Sequence, residues 1–250
     1  MNAFPKTKTA PVKLWSTKAL DIELERIRGV YARRRQAITR DRYALFGPFN
    51  LLSMQEREGT IASLLRASGI HSLAGRRILD IGCGRGEMLR RLLEFNAEPS
   101  LLFGVELVEE YAAEARHLSP HIKIMQGNAA ALPFADASFD LVHQATVFTS
   151  ILDPKMKQAV ASEMLRVLSP GGLILWYDFF VDNPRNQDVR GVTKKEIREL
   201  FGGCELKVRR ITLAPPIGRI VTRFSPLWYL VLSNLKLFCT HYLVLMKKPL

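Results

Sequence analysis

The sequence contains few of the residues that build disulfide-rich or zinc-binding proteins. Its 250 residues include three cysteines, Cys83, Cys204 and Cys239, and none belongs to a CxxC pair or to a cluster with histidine. This spacing indicates neither a disulfide framework nor a zinc site, and it favours a reducing compartment. We therefore expect no bound metal.

Long apolar segments are also missing. The longest, residues 226–239, is interrupted by Ser233, Asn234 and Lys236, and it is shorter than the roughly 18 residues that a membrane-spanning helix needs. The first 15 residues include lysines but no apolar core of the kind found in signal peptides. We expect a cytoplasmic protein, with peripheral contact at a membrane as an open alternative.

Composition and charge are those of a globular protein with basic ends. Hydrophobic residues make up 48% of the chain and charged residues 24%, and the length suits one α/β domain with terminal elaborations. The net charge of +12 is concentrated at the two ends, since residues 183–250 alone have 13 basic and 4 acidic side chains. The basic ends are either solvated faces or contacts for an acidic small molecule, an anionic membrane or nucleic acid.

Apolar runs alternate with helical patterns in the order expected for a parallel sheet. Strands are predicted at residues 77–81, 101–106, 122–126, 139–143, 173–177, 206–213 and 241–247, and helices at residues 54–67, 87–95, 109–117, 154–168 and 193–201. Ser53 and Glu56 have capping-box spacing, and Gly47-Pro48 is interpreted as a break after a helix over residues 31–43. We therefore divide the chain into a basic helical segment, residues 1–53, and a catalytic domain, residues 54–250.

A glycine-rich loop follows the first predicted strand. It includes Asp80, Gly82, Cys83, Gly84 and Gly86, and it opens a helix with one apolar face. Glycines let the backbone turn tightly and lie against a ligand. The GxGxG spacing, with Glu87 in the place of a third dinucleotide-binding glycine, disfavours NAD and FAD.

A carboxylate ends the next strand, about 20 residues after the loop. This residue, Glu106, is followed by Leu107 and is suited to accept hydrogen bonds from both hydroxyls of a ribose. The glycine-rich loop followed by this carboxylate predicts that a cofactor containing a nucleoside binds at the carboxyl ends of the strands.

From these residues the sequence resembles the class I S-adenosylmethionine-dependent methyltransferases, especially the small-molecule branch with the ubiquinone- and menaquinone-biosynthesis enzymes. Residues 78–89, 127–142 and 163–176 are similar to successive motifs of that family, and the resemblance covers roughly residues 76–180. It implies a Rossmann-like α/β fold: a seven-stranded, mostly parallel sheet with an antiparallel last strand and helices on both faces. It also implies S-adenosyl-L-methionine as the cofactor.

The resemblance also implies where the cofactor lies. Asp80, Gly82 and Gly84 match residues around its methionine part, and Glu106 matches the ribose ligand. Asn128, followed by Ala129, matches the adenine contact, where the family usually has aspartate.

Two further positions are candidates at the ends of later strands. Strand alternation points Gln144 toward the crevice, where it would touch cofactor or substrate. Asp178 is the candidate catalytic base, with capping of the loop at residues 179–183 as the structural alternative. Relatives often have a histidine pair where this chain has Thr149-Ser150, and His143 inside a strand is interpreted as a packed residue.

These features predict methyl transfer to an oxygen or carbon of a small molecule, such as a biosynthetic intermediate, a sugar unit or a quinone precursor. RNA methylation and a non-catalytic, cofactor-binding regulatory role stay open, although no RNA-binding module is visible and nucleic acid is disfavoured. The acceptor is expected to be acidic or lipid-like, and the oligomeric state is left open.

Two segments are assigned to closing or extending the site. Tyr31, Tyr43 and Phe46 are expected to form a lid over the cofactor. The insertion at residues 216–240 combines dense apolar residues with cations. It is interpreted as a wall for a lipid-like substrate, as an interfacial membrane contact or as a buried helix at the sheet edge.

Overall fold

The computed structural model describes residues 17–37, 40–184 and 186–250, and their core is one seven-stranded sheet. Its strands are β1 Ile78–Ile81, β2 Leu102–Glu106, β3 Lys123–Gln126, β4 Phe139–Ala145, β5 Leu168–Phe179, β6 Glu205–Leu213 and β7 Cys239–Lys247. The order is β3-β2-β1-β4-β5-β7-β6. Strand β7 runs antiparallel to both β5 and β6, whereas the pairs among β1 to β5 are parallel. The predicted fold class is confirmed.

Helices cover both faces of this sheet. They are α1 Thr17–Ala37, α2 Pro48–Arg66, α3 Glu87–Leu92, α4 Glu109–Leu118, α5 Pro154–Val167, α6 Lys194–Leu200, α7 Pro215–Phe224 and α8 Pro226–Asn234. One apolar cluster packs α1, α5 and α6 against the sheet, and a second packs α2, α3 and α4 against the opposite face. Burial on both faces explains why the central strands are continuous apolar runs.

Local capping starts two of the helices where the sequence predicts it. Asp153 precedes Pro154, and its Oδ1 accepts a hydrogen bond from the Met156 amide at 2.9 Å. Thr193 Oγ1 accepts from the Glu196 amide at 3.2 Å. Both contacts satisfy amides that the first helical turn leaves without a partner.

Helix α2 begins earlier than predicted. Gly47 is extended and Pro48 is in the first turn, so the dipeptide interpreted as a break is the start of the helix. Proline is favoured there because its missing N–H and its restricted φ suit the first turn. Ser53 lies inside the helix and its hydroxyl donates to the Asn50 carbonyl at 3.1 Å, so the predicted capping box is wrong. The proposed segment boundary between residues 53 and 54 falls within α2.

Two further predictions about local structure need correction. The helix predicted over residues 31–43 is instead α1, ending at Ala37, and a separate 3-10 helix at Arg40–Tyr43. Strand β5 begins at Leu168 rather than at the predicted residue 173, and its pairing with β4 shifts register between Phe139 and Leu141. The insertion at residues 216–240 forms α7 and α8.

Two glycines test how tightly the sheet packs. A methyl group on Gly104 in β2 would lie 2.8 Å from Cys83 Sγ and 2.9 Å from Leu89 Cδ1. We expect Gly104→Ala to lower the free energy of unfolding by about 1–3 kcal/mol, because overpacking strains a filled core. Denaturant unfolding measures this.

The control is Gly59→Ala in α2, where the added methyl group would meet nothing within 4 Å. This substitution should raise the free energy of unfolding by roughly 0.5–1 kcal/mol, because alanine loses less backbone entropy in a helix. A Gly104→Ala protein as stable as the unchanged chain would contradict the close packing of β2 on the glycine loop.

Candidate active site

A cavity of about 870 Å³ opens at the carboxyl ends of the parallel strands. Strand order reverses between β1 and β4, and open parallel sheets bind their ligands at such a point. Eight of the ten predicted cofactor residues line this cavity: Asp80, Gly82, Cys83, Gly84, Glu106, Leu107, Asn128 and Ala129. The structure thus brings together residues from the ends of β1, β2 and β3.

The glycine loop turns in a conformation that side chains disfavour. Gly82, Gly84 and Gly86 have φ angles of 65°, 54° and 75°. A methyl group on Gly82 would lie 2.5 Å from Val147 Cγ2, whereas one on Gly84 would meet nothing within 4 Å. The Gly84 backbone therefore faces open space. Gly86 precedes α3 and is not part of the cavity wall.

Glu106 is held by backbone amides on both oxygens. Its Oε2 accepts from the Gly84 amide at 2.9 Å, and its Oε1 accepts from the Val108 amide at 2.9 Å. The residue is 8% exposed, and this burial raises the pKa of its carboxyl despite the two hydrogen bonds. Each oxygen has further acceptor capacity, so the carboxylate can also receive ligand hydroxyls.

Asn128 is fixed by its own loop. Its Oδ1 accepts from the Ala130 amide at 2.9 Å, a local turn typical of asparagine. Leu107 and Ala129 add apolar surface on either side. This part of the cavity combines an amide group with apolar walls, as an adenine ring requires.

His143 is a cavity residue that the sequence analysis assigned to packing. It lies opposite Asp80 in the register of β4 and β1, and its Nδ1 is 2.6 Å from Asp80 Oδ1. Both side chains are buried and both line the cavity. Their position opposite each other on neighbouring parallel strands was the signal that could have indicated the pair.

Gln144 does not line the cavity, although strand alternation was expected to point it there. Strand β4 extends to Ala145, and His143 and Ala145 are the residues in the cavity wall. Gln144 therefore points to the opposite face, where it is fully buried and its Oε1 accepts from the Val147 amide at 3.1 Å.

Asp178 also lies away from the cavity wall. It belongs to β5 rather than to the loop after it, and it is 1% exposed. Its Oδ1 accepts from the Thr149 hydroxyl at 2.6 Å. This contact differs from the predicted alternative, in which Asp178 would cap the loop at residues 179–183. Burial raises the pKa of the Asp178 carboxyl to about 7, although the hydrogen bonds from Thr149 act to lower it. Its contacts attach the loop after β4 to β5.

Helix α1 lies over the cavity. Leu24, Ile27 and Tyr31 are in its wall, and the Tyr31 hydroxyl is 3.1 Å from Ser150 Oγ. Tyr43 also lines the cavity, whereas Phe46 is fully exposed and does not. The predicted lid aromatics therefore separate into two that face the site and one that faces solvent.

Glu23 attaches α1 to the loop after β4. Its Oε1 accepts from the Leu152 amide at 2.6 Å and from the Asp153 amide at 3.3 Å. Arg26 donates to both oxygens of Glu23, each at 2.8 Å. A buried carboxylate with this many donors holds the helix in a defined position.

Comparison with known families agrees with this geometry. Residues 78–172 match the model of a family described as "Methyltransferase domain". Over these residues the chain is similar to the class I S-adenosylmethionine-dependent methyltransferases. That family and fold imply S-adenosylmethionine as the cofactor. The match covers the glycine loop, Glu106 and Asn128, but it ends before the last two strands.

Curated relatives of the methyltransferase domain act on different acceptors. The chain is 33% identical over 122 residues to a sterol 24-C-methyltransferase from Gibberella zeae, covering 46% of this chain and 30% of that protein. It is 32% identical over 119 residues to a tRNA N(3)-cytidine methyltransferase from Gallus gallus, covering 43% and 31%. The chain thus spans under half the length of these relatives.

Solved structures share the fold. The YcgJ protein from Bacillus subtilis superimposes with a TM-score of 0.56 at 19% identity, covering 77% of this chain and 99% of that chain. At 19% identity, this likeness shows a shared arrangement of strands and helices but does not show a shared function.

The cavity residues fit S-adenosylmethionine. A carboxylate with free acceptor capacity ends β2, and the open side of Gly84 leaves room beside it. Among the residues that the structure describes, no group of three or more histidine, cysteine, aspartate or glutamate side chains could hold a metal ion.

Proposed function

We propose that the protein transfers a methyl group from S-adenosylmethionine to an oxygen or carbon of a small-molecule acceptor. The observation that carries this proposal is one continuous cavity that joins Gly84 and Glu106 to the ends of β4 and β5. The sterol 24-C-methyltransferase relative supports a small apolar acceptor. A tRNA methyltransferase is similar over a comparable length, so RNA is the alternative that the experiment must exclude.

The cofactor residues have separate roles in this proposal. Glu106 binds the ribose hydroxyls, and Asn128 with Ala129 contacts the adenine. Gly82 and Gly84 bring the loop backbone against the methionine part, beside Asp80. Cys83 is a small filler whose burial raises its thiol pKa, which disfavours a thiolate.

The transfer itself needs alignment more than strong acid–base chemistry. S-adenosylmethionine supplies a methyl group on a positively charged sulfur. The chain's contribution is to hold the acceptor atom in line with that group and to exclude water. For an acceptor that loses a proton as the new bond forms, His143 is suited to take it at Nε2, because a hydrogen bond from Nδ1–H to Asp80 Oδ1 keeps the lone pair on Nε2. His143 replaces Asp178 as the candidate base.

Replacing Glu106 tests the cofactor site. Glu106→Ala should weaken S-adenosylmethionine binding by roughly 2–4 kcal/mol, because it removes charge-assisted bonds to the ribose and frees the Gly84 amide. The unchanged protein should lose affinity on acidification at a higher pH than an ordinary glutamate would give, since its pKa is raised. Calorimetry measures both effects.

The control is Glu94→Ala, which makes the same charge change at an exposed residue outside the cavity. Equal cofactor affinity in Glu106→Ala and Glu94→Ala would exclude Glu106 as a cofactor residue.

Tritium transfer decides the class of acceptor. The full chain is incubated with methyl-tritiated cofactor and a cell extract, which is then divided into lipid, other small-molecule, RNA and protein fractions. We expect the label in a lipid or small-molecule fraction. Gly84→Val, which places a side chain in the open space beside the loop, should abolish transfer. Label in RNA, or none above the Gly84→Val background, would overturn the proposal.

We also propose that α1 is a cover that keeps water from the reaction. Glu23→Ala removes the acceptor that holds α1 on the Leu152 and Asp153 amides. It should lower turnover by at least about tenfold, since small displacements of positioning groups are costly. The matched control is Glu25→Ala on the same helix, whose side chain is 70% exposed and pairs with Arg28. Equal turnover of the two variants would contradict the proposal that α1 keeps water from the reaction.

We further propose that α7 and α8 contact an anionic membrane surface. Their inner side is packed, with Tyr229 donating to Glu56 Oε2 at 2.7 Å and Gly218 against Phe49. The two helices and the residues that follow α8 also expose large apolar side chains, which are Ile220, Phe224, Leu227, Trp228, Leu230, Val231, Leu235, Leu237 and Phe238. The alternative of a buried helix at the sheet edge therefore describes the inner side of the insertion and not its exposed apolar residues.

Charge favours a lipid surface over a second copy of the chain. Arg219, Arg223 and Lys236 lie among these apolar residues, and no aspartate or glutamate follows Glu205 in the sequence. Two copies meeting through this face would bring like charges together, whereas anionic headgroups attract them. None of the described helices is long and apolar enough to cross a bilayer, so the contact would be interfacial.

Vesicle sedimentation tests the membrane contact. The protein should bind phosphatidylcholine vesicles that contain phosphatidylglycerol, and high salt should weaken this binding. Leu230→Ser with Leu237→Ser should reduce it at least about tenfold, since two apolar side chains leave the interface. Trp228, 54% exposed, should shift its fluorescence to shorter wavelength on binding.

The control pair is Ile22→Ser with Val181→Ser, whose side chains are 65% and 48% exposed, close to the 70% and 47% of Leu237 and Leu230. Equal losses in the two double variants, or a dimer in solution that only the Leu230 and Leu237 changes dissociate, would overturn the membrane contact.

A further inference from the structure

Three arginines in the cavity wall are bound to other parts of the protein. Arg85 Nε donates to Glu114 at 2.9 Å, and Arg91 Nη1 donates to Glu58 at 2.6 Å. Arg90 Nη1 donates to the backbone oxygen of Arg85 at 2.7 Å. These contacts shape the wall, and each guanidinium has a partner within the chain.

Arg57 is different. It extends from α2 into the cavity wall, and its buried Nε has no hydrogen-bond acceptor in the described part of the chain. Its guanidinium carbon lies 5.1 Å from the centre of the Tyr177 ring. The Tyr177 hydroxyl is 3.0 Å from Thr212 Oγ1, and its ring stacks on His241 with centres 5.0 Å apart. Arg57 therefore rests on a fixed aromatic support.

The groups around Arg57 do not neutralise its charge. The adjacent Glu56 contacts other groups, because its Oε2 accepts from the Thr212 amide at 2.9 Å and from the Tyr229 hydroxyl, and its Oε1 lies 3.6 Å from Lys236 Nζ. His241 is neutral at pH 7, since burial and then the charge of Arg57 lower its pKa to about 4. A partly buried cation without a counter-charge is costly, so its presence in a cavity wall points to an anionic ligand.

The position of Arg57 assigns it to the acceptor. Glu106 and Asn128 lie at the ends of β2 and β3, on one side of β1. Arg57 lies over Tyr177 in β5, on the other side of β1. Apolar side chains close to it in the chain, Leu45 and Met54, also line the cavity. This half of the cavity therefore combines apolar walls with a guanidinium whose Nε has no acceptor among the described residues.

We propose that Arg57 binds the carboxylate or phosphate group of an acceptor whose remaining body is apolar. The inference rests on the proposed methyl transfer and adds the class of its substrate. A guanidinium is suited to both anions, because its planar donors match two oxygens at once. The anion would orient the apolar body toward the methyl group.

Binding of three chain-matched probes tests this site. The full chain is saturated with S-adenosylhomocysteine, and calorimetry measures the affinities of decanoate, decyl phosphate and decanol. One or both anions should bind at least about tenfold more tightly than decanol, as expected for charge-assisted hydrogen bonds. The separate anion arms distinguish a carboxylate site from a phosphate site.

Variants of Arg57 show where the preference arises. Arg57→Gln should bring the affinity for the anions to that for decanol and leave S-adenosylhomocysteine affinity within about twofold. Arg57→Lys should retain part of the preference, because it keeps the charge and loses the planar donors. The control, Arg66→Gln, removes an exposed arginine from the last turn of the same helix and should change nothing.

The possible results distinguish a failure of the Arg57 inference from a failure of the proposed function. No anion preference in the unchanged protein, or a preference that Arg57→Gln leaves intact, would overturn the role of Arg57 while S-adenosylhomocysteine still binds. A protein that binds no S-adenosylhomocysteine would instead overturn the proposed methyl transfer.

Discussion

The geometry of the site depends on the bonds between the Glu106 carboxylate and two backbone amides. Glu106 ends β2, and the Gly84 amide that donates a hydrogen bond to it belongs to the loop after β1. Gly84 adopts a positive φ angle, which glycine tolerates and most side chains do not. The price is a desolvated carboxylate with a raised pKa. In return, the loop and the carboxylate are aligned before any ligand arrives.

The other half of the cavity is built from segments outside the family motifs. Helix α2 contributes Arg57, and Tyr177 comes from the end of β5. In the proposed function, the residues assigned to the cofactor and those assigned to the acceptor thus come from different parts of the chain. This separation explains how one fold serves relatives with sterol and tRNA in their names.

Sequence patterns located the strands well and the start of α2 poorly. The central strands are buried on both faces, so continuous apolar runs mark them within a few residues. Gly47-Pro48 is compatible with two structures, since proline both ends a preceding helix and favours the first turn of a new one. The chain's local pattern does not distinguish them. The packing of Phe49 against α7 and Tyr229 is consistent with the second.

The sequence alone determined the glycine loop, the carboxylate about 20 residues later and the alternation of strands and helices, because these depend on local backbone requirements and on periodicity. Tertiary structure decided which side chains face the cavity. His143 rather than Gln144 lines it, Asp178 is bound to Thr149, and Arg57 lies over Tyr177 with no acceptor for its Nε in the part of the chain that the structure describes. These outcomes depend on strand length, on register and on contacts between residues far apart in the chain, which no local pattern encodes.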